Sequence, residues 1–237
     1  MGGAPLRRVE RVNRLVFVRA GLVPYANAWA EQQRLHDARV DGDEPDTVLL
    51  LEHPSVYTAG KRTQPWELPR DGTPVVKVDR GGQITWHGPG QLVGYPIVAL
   101  PNPVDVVAYV RRIERVLIDV CADVGVVASR VAGRSGVWIT ADERGPDRKV
   151  AAIGIRVARG VAMHGFALNC DPDLRYYDQI VACGIRDAGV TSLTVEAGHK
   201  ITVSDALPYV ENHLNEAILR THEVSPVGTG SRPKVGT

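Results

Sequence analysis

Arg80-Gly-Gly-Gln-Ile-Thr-Trp-His-Gly-Pro-Gly-Gln-Leu-Val-Gly-Tyr-Pro96 sets five glycines and two prolines among one arginine, one histidine, one tryptophan and two glutamines. Apolar runs flank it, Val75-Val76-Lys77-Val78 before and Ile97-Val98-Ala99-Leu100 after. Pinned between two expected strands, a run this rich in glycine lets the main chain approach a ligand closely and presents backbone N–H groups. An ordinary glycine-rich turn is the plain alternative. A turn, however, needs one or two special residues, whereas glycines here recur from Gly81 to Gly94 with Arg80 and His87 beside or among them. No Gly-Lys-Ser/Thr marks a phosphate loop, and no spaced glycine triplet opens a helix as in a dinucleotide fold. The stretch reads as a binding loop without a nucleotide signature.

Outward from this stretch, 237 residues suffice for one large domain or two small ones with a substantial core. Hydrophobic residues make up 44% and charged residues 23%, as in globular chains. Lys plus Arg (28) nearly balances Asp plus Glu (27), which gives no reason to expect nucleic-acid binding. No apolar run reaches the roughly 18 residues of a membrane span, and the start Met1-Gly-Gly-Ala-Pro-Leu-Arg-Arg8 lacks a secretory apolar stretch. Cys121, Cys170 and Cys183 are an odd number without metal-type spacing, so no metal is expected and a reducing cytoplasm is the expected home.

Along the chain, Arg14 to Arg19 reads as a strand and Tyr25 to Val40 as a helix with Tyr25, Ala28, Trp29 and Leu35 on one arc, which Gln32 and Arg39 interrupt. Thr47 to Glu52 is a continuous apolar run suited to a buried strand, followed by a polar loop from His53 to Arg62. Val104 to Val124 predicts a helix, with Val107, Val110, Ile113, Val116, Leu117, Val120 and Cys121 at helical spacing, stopped by Gly125. Gly136 to Thr140 is a strand. Lys149 to Ala158 and Val161 to Cys170 form an antiparallel pair turning at Arg159-Gly160. Asp171 to Leu193 is expected as loop, and a last helix from Val203 to Arg220 is expected to open at Ser204 or Asp205. The expected organisation is an N-terminal extension over 1–13, one domain over 14–222 and a disordered tail over 223–237.

Three cysteines and one lysine carry the chemical possibilities. Cys121 lies on the apolar stripe of its helix, and Cys170 shares a strand face with His164, Phe166 and Leu168, so both read as buried and inert. Cys183 differs. It sits in the short apolar segment Ile180-Val-Ala-Cys-Gly-Ile185 within a polar loop, and Gly184 permits close backbone approach. The residues alone leave open whether its thiol is a nucleophile. A thiol of ordinary pKa near about 8.5 is mostly protonated at neutral pH and needs a helper. Lys149 opens the apolar strand Lys149-Val-Ala-Ala-Ile-Gly-Ile155, and an ammonium held beside a thiol favours the thiolate and can shuttle a proton. A solvated lysine at a strand end is the alternative. His164-Gly165-Phe166-Ala167 offers small residues suited either to packing or to a slot for an apolar chain.

Together, Arg80 to Gln91, Lys149-Val-Ala-Ala-Ile-Gly154, His164-Gly-Phe-Ala-Leu-Asn169 and Ala182-Cys-Gly-Ile185 closely resemble the octanoyltransferases of lipoate biosynthesis, and Leu51 to Gly60 looks like that family's upstream segment. The likeness runs over roughly residues 14 to 220, with the motifs in order. It implies an α/β (α+β) fold, a mixed sheet flanked by helices as in the catalytic domain of biotin and lipoate protein ligases. It also implies transfer of an octanoyl group from the thioester of octanoyl-acyl carrier protein to a lysine of lipoyl domains, in 2-oxoacid dehydrogenase E2 subunits or the glycine cleavage H protein. By the same resemblance Cys183 is the acyl-thioester nucleophile and Lys149 its proton relay. Substrate contacts fall on Arg80, Gly81, Gly82, Gln83, Ile84, Thr85, Trp86, His87, Ala152, Ile153, Gly154, Gly165, Phe166 and Ala167. A thioester donor is already activated, so no cofactor is implied. An ATP-dependent ligase and a non-catalytic acyl-binding protein are the rival readings. Arg62, Arg80, Arg111, Arg112, Arg148 and Arg156 are candidates to steer acidic partners, or merely solvated charges.

Overall fold

The computed structural model describes residues 15–69, 72–180 and 188–223, with side chains through residue 218. Cys183, the expected N-terminal extension and all but the first residue of the expected tail lie outside the described residues. Strands β1 (Val16–Leu22) and β2 (Thr47–Glu52) pair in parallel across helix α1 (Tyr25–Asp41). A three-stranded sheet follows, in which β3 (Val56–Ala59) lies between β4 (Val75–Lys77) and β5 (Thr85–His87). Next come β6 (Gln91–Ile97), helix α2 (Val106–Asp123), β7 (Ser129–Val131), β8 (Arg134–Ile139), β9 (Arg148–Ala158) and β10 (Val161–Asn169). The chain closes with β11 (Gly189–Val190), a short α3 (Leu193–Ala197) and α4 (Val203–Glu223). The large sheet is mixed, ordered β1-β2-β6-β10-β9-β8-β7, with β11 added in parallel to β9.

β2 is apolar at every internal position because both of its faces are covered. Val48 and Leu50 pack toward α2 and α4, while Leu49 and Leu51 face α1. β6 divides in the same way, with Leu92 on the α2/α4 side and Val93, Tyr95 and Ile97 on the α1 side. Asp105 caps α2 by accepting the Ala108 N–H at 2.8 Å, and Gly125 takes up the left-handed backbone that follows, at φ 78°. Arg159 (φ 50°) and Gly160 (φ 78°) form the tight turn between β9 and β10 where the sequence marks it.

Four expectations are corrected. The glycine-rich stretch is largely strand, β5 and β6, and every residue of both is buried. The expected loop from His53 to Arg62 contains β3, the middle strand of the small sheet. On α2, Val107 is 69% exposed and Tyr109 is the buried residue of that turn. Finally α4 starts at Val203 as expected, but its cap is Thr202 rather than Ser204 or Asp205: Asp205 Oδ2 accepts from Thr202 N at 2.8 Å while Thr202 Oγ1 accepts from Asp205 N at 3.3 Å, a reciprocal cap. Among the described residues no helix is long and apolar enough to cross a membrane.

Candidate functional site

On the α1 side, between the small sheet and strands β9 and β10, lies a cavity of about 210 Å³. It brings together residues that the sequence scatters between positions 80 and 167: Lys149 and Arg80, Gly82, Gln83, Thr85 and His87, with Ala152, Ile153 and Gly154 of β9 and Gly165, Phe166 and Ala167 of β10. Gly81, Ile84 and Trp86 do not line it. Tyr25, Arg62, Tyr95, Gly133, Arg134, Ser135 and His164 do, without having been singled out as substrate contacts from the sequence. The described lining holds four cationic side chains (Arg62, Arg80, Arg134 and Lys149) and no carboxylate. Such a wall favours an anion over a neutral group.

A defect in the sheet puts Lys149 into this cavity. On β9, Ile153, Ile155 and Val157 pack against the α2/α4 core, and Ala151 lies in that core too. Strict alternation would send Lys149 to the same side. Instead Val137↔Ala151 is followed by Trp138↔Lys149, so Val150 is an extra residue, a β-bulge. Val150 joins Ala151 in the core, and Lys149 flips to the cavity side with Ala152 and Gly154. Gly136 (φ 110°) makes room, since a Cβ there would stand 2.6 Å from the Ala151 carbonyl oxygen and 3.4 Å from Lys149 Cε. The Lys149 side chain is buried, with Nζ 4.6 Å from the centre of the Trp138 ring. Among the described residues no hydrogen-bond acceptor approaches that ammonium.

Arg80 is a clip as well as a wall. Its Nη1 donates to the carbonyls of Gly81 (3.0 Å) and Gln83 (2.9 Å), and its Nη2 to the carbonyl and hydroxyl of Thr58 (2.8 Å each). This ties the glycine-rich stretch to β3. Glycine at 154 is required for the clip to lie flat, because a Cβ there would stand 2.9 Å from Arg80 Cδ. Gly94 plays the matching part under Phe166, whose ring would be 2.2 Å from an added Cβ.

Buried polar side chains in the lining and behind it fix one another's protonation states. His53 Nδ1–H donates to the Val23 carbonyl at 2.6 Å, so Nε2 accepts from Tyr95 OH at 2.8 Å, and Tyr95 in turn bonds Tyr25. Burial lowers the His53 pKa and raises that of Tyr25 to about 12. Burial, with the neighbouring His53, pulls His87 down to about 3. Both ring nitrogens of His87 are taken, Nδ1–H by Gln91 Oε1 at 2.7 Å and Nε2 by the Thr58 hydroxyl at 3.3 Å. His87 therefore orders Gln91 rather than exchanging protons with a ligand. Gln91 Nε2 donates to Asn169 Oδ1 and Tyr177 OH, both at 2.9 Å, and Asn169 Nδ2 donates to the Thr191 carbonyl at 2.9 Å.

His164 adopts φ 57°, a left-handed backbone that costs a side-chain-bearing residue about 1–2 kcal/mol. Its N–H donates to Gln32 Oε1 at 2.9 Å, and its Nε2 meets Asp79 Oδ1 at 2.8 Å. Asp79 also pairs with Arg156. Burial holds His164 below the ordinary imidazole pKa although Asp79 pulls the other way. The polar Gln32 on the apolar arc of α1 was the sequence's one trace of this arrangement.

Of the three cysteines, Cys121 and Cys170 are buried in the core on the far side of the sheet. Burial pushes the Cys121 thiol up to about 12 and the Cys170 thiol up as well. The seven undescribed residues 181–187 contain Cys183, and the chain on either side of them converges. Ile180 and Val190 both pack on a buried cluster of Tyr57, Ile84, Trp86 and Tyr177, and Val190 pairs with Lys149. Ile84 and Trp86 thus belong to the platform under those chain ends. Trp86 stacks on Tyr176 at 4.8 Å and donates to Ser55 Oγ at 2.8 Å.

Comparison with known proteins gives a concordant result. The model of the lipoyl protein ligase A/B catalytic domain matches residues 24–215. An octanoyltransferase of Salinispora tropica is 72% identical over 200 residues, which are 84% of this chain and 94% of that one. An octanoyltransferase of Acidothermus cellulolyticus is 60% identical over 215 residues, 91% of this chain and 97% of the other. Among solved structures, the bi-partite lipoate protein ligase of Thermoplasma acidophilum superposes with a TM-score of 0.66 at 13% identity, covering 86% of this chain and 83% of its own. Lipoate-protein ligase A with bound ATP gives 0.55 at 12% identity, covering 89% and 85%. These two likenesses establish a shared mixed α/β architecture. With the family model spanning the cavity and every strand of the sheet but β1, and relatives of one name matching nearly end to end, the chain belongs to the octanoyltransferases of the lipoyl protein ligase A/B catalytic-domain family.

Proposed function

We propose that the chain moves an octanoyl group from octanoyl-acyl carrier protein to a lysine of a lipoyl domain through a thioester on Cys183, with Lys149 as its charge and proton partner. Residues 14–222 would form the one catalytic domain, working in the cytoplasm. The acceptors would be the lipoyl domains of 2-oxoacid dehydrogenase E2 subunits and the glycine cleavage H protein.

The observation that carries this reading is the bulge at Val150, which turns a buried ammonium into a cavity whose described lining holds no carboxylate. Two others support it. Cys121 and Cys170 are sealed on the opposite side of the sheet, and Ile180 and Val190, on either side of residues 181–187, pack on one cluster, with Val190 paired to Lys149. In the first half-reaction the Cys183 thiolate attacks the donor carbonyl. The oxyanion forms and collapses, the carrier's sulfur leaves, and a proton from Lys149 neutralises it. In the second, the neutral amine of the acceptor lysine attacks the enzyme thioester. The amide forms, the amine gives up its proton to Lys149, and the Cys183 thiolate is restored. Ala152, Gly154, Gly165, Phe166 and Ala167 supply small and apolar walls for the acyl chain.

Donor competition tests the reading. Purified chain with a lipoyl domain is offered either octanoyl-acyl carrier protein or free octanoate with ATP. Octanoylated domain is expected with the first alone. Equal turnover with octanoate and ATP would mark an adenylate-forming ligase, and acyl binding without transfer would mark a non-catalytic protein.

A further inference from the structure

Trp66 is 64% exposed, yet the turn that carries it is among the most firmly built at the cavity edge. Pro65 opens the turn, and the buried Glu67 closes it, accepting from Gln64 N at 2.8 Å and from Gln83 Nε2 at 2.9 Å. Gln83 lines the cavity. The chain entering the turn is stitched to the same wall, Lys61 N donating to the Arg80 carbonyl at 3.3 Å and Arg62 N to the Gly82 carbonyl at 3.1 Å. This capped, stapled turn presents Trp66 to water with Leu68 two residues on and Val75 of the neighbouring β4 also exposed, the apolar character of an interaction surface.

The exposed charges around it, among the described residues, have one sign. Over the described residues 60–69 and 72–77 the ionisable side chains are Lys61, Arg62, Glu67 and Lys77, and only the three cationic ones are exposed. Lys77 lies level with Ala59, where the chain leaves β3 for Lys61 and Arg62. Of the other arginines that might have steered a partner, Arg111 is paired with Glu114, Arg148 with Asp142 and Glu196, and Arg156 with Asp79, while Arg112 belongs to α2, on the side of the sheet away from the cavity. Arg62 instead reaches the cavity itself. Exposed Trp and Arg on a rigid support are the residue types that anchor protein interfaces.

We propose that Trp66, with Lys61, Arg62 and Lys77, is the docking rim for the protein that presents the acceptor lysine, through an acidic surface around that lysine. The inference rests on the transfer reading above. Its choice of partner follows from reach: a lysine amine stands on a four-carbon stem, so its domain must bring its own surface to the cavity mouth. A thioester on a longer prosthetic arm can be delivered from further away.

Trp66→Ser and Lys61→Glu, neither at a lining residue, test it in three measurements. Loading of the enzyme from octanoyl-acyl carrier protein, followed by intact mass, should stay within twofold of the parent rate. Release of the loaded acyl group to hydroxylamine, which needs no docking, should be equally unaffected. Transfer to a lipoyl domain should need about tenfold more domain for half-maximal rate in Trp66→Ser, and in Lys61→Glu its association should lose salt dependence. Unchanged domain transfer overturns the proposal, as does an equal loss of loading, which would put the donor on the rim. Should the parent chain fail to load at all, the transfer reading falls, and calorimetric binding of the lipoyl domain still decides the rim. Tenfold weaker binding to Trp66→Ser supports it, and equal binding overturns it.

Discussion

On one side of the large sheet, Val48, Leu50, Leu92, Val137 and Leu168 meet Ile113, Leu117, Val120 and Leu214 of α2 and α4. On the other, the same strands face Gln32, His53, His87, Arg80, His164 and Lys149, all buried and most joined by hydrogen bonds. The first side excludes water and has little reason to discriminate among apolar shapes. The second keeps polar groups inside the protein, where each needs a partner and a fixed direction. Placing the two cysteines with raised pKa on the first side and the buried Lys149 on the second separates holding the fold from doing chemistry.

If that division is right, the largest effect on activity should come from the polar side with little cost in stability. Lys149→Met keeps the volume and removes the charge. The expected result is a fall in transfer of about 10²–10⁴-fold with the melting temperature nearly unchanged, checked by steady-state assay and thermal denaturation together. The reverse trade belongs to the dry side. Leu117→Ala, at a fully buried position, should cost about 2–5 kcal/mol in urea unfolding, while the folded fraction keeps its KM for donor and acceptor.

Gly94→Ala probes the seam between the two sides, since its new Cβ would stand 2.2 Å from the Phe166 ring. Overpacking of this kind costs about 1–3 kcal/mol, and displacement of Phe166 should also slow acyl loading. A loss of stability with normal loading would place the acyl chain elsewhere.

The smallest effect is one of order. Burial holds His53, His87 and His164 below the usual imidazole range, so the unfolded chain binds protons that the folded chain refuses. Stability from these groups is whole above pH about 6.5 and is lost as pH falls toward about 3, where His87 titrates. Hydrogen exchange at acid pH should therefore lose protection in β3 and β5 before α2 and α4. Simultaneous loss would break the comparison.

The dry side was legible in the sequence because period-two strands and a 3.6-residue helical stripe suffice to build it. Thr47–Glu52, the α2 stripe from Ile113 to Cys121 and the Arg159-Gly160 turn fall where the pattern puts them, and only the first turn of α2 departs from it, burying Tyr109 in place of Val107. The polar side was legible in its motifs but not in its geometry. An extra residue in β9, a left-handed His164 and the alternation of Ile84 and Trp86 away from the cavity depend on pairings with distant strands. No local pattern marks a bulge at Val150, and the capping of α4 by Thr202 escaped notice because the helix's apolar pattern starts after it.

The central claim is that the acyl group is carried on Cys183 under the influence of Lys149. Intact mass and peptide mapping after incubation with octanoyl-acyl carrier protein, on the parent chain and on Cys183→Ser, measure it most directly. The account predicts one octanoyl adduct mapping to Cys183 in the parent and none in the variant. An adduct that persists in Cys183→Ser, or that maps to Cys121 or Cys170, would contradict it.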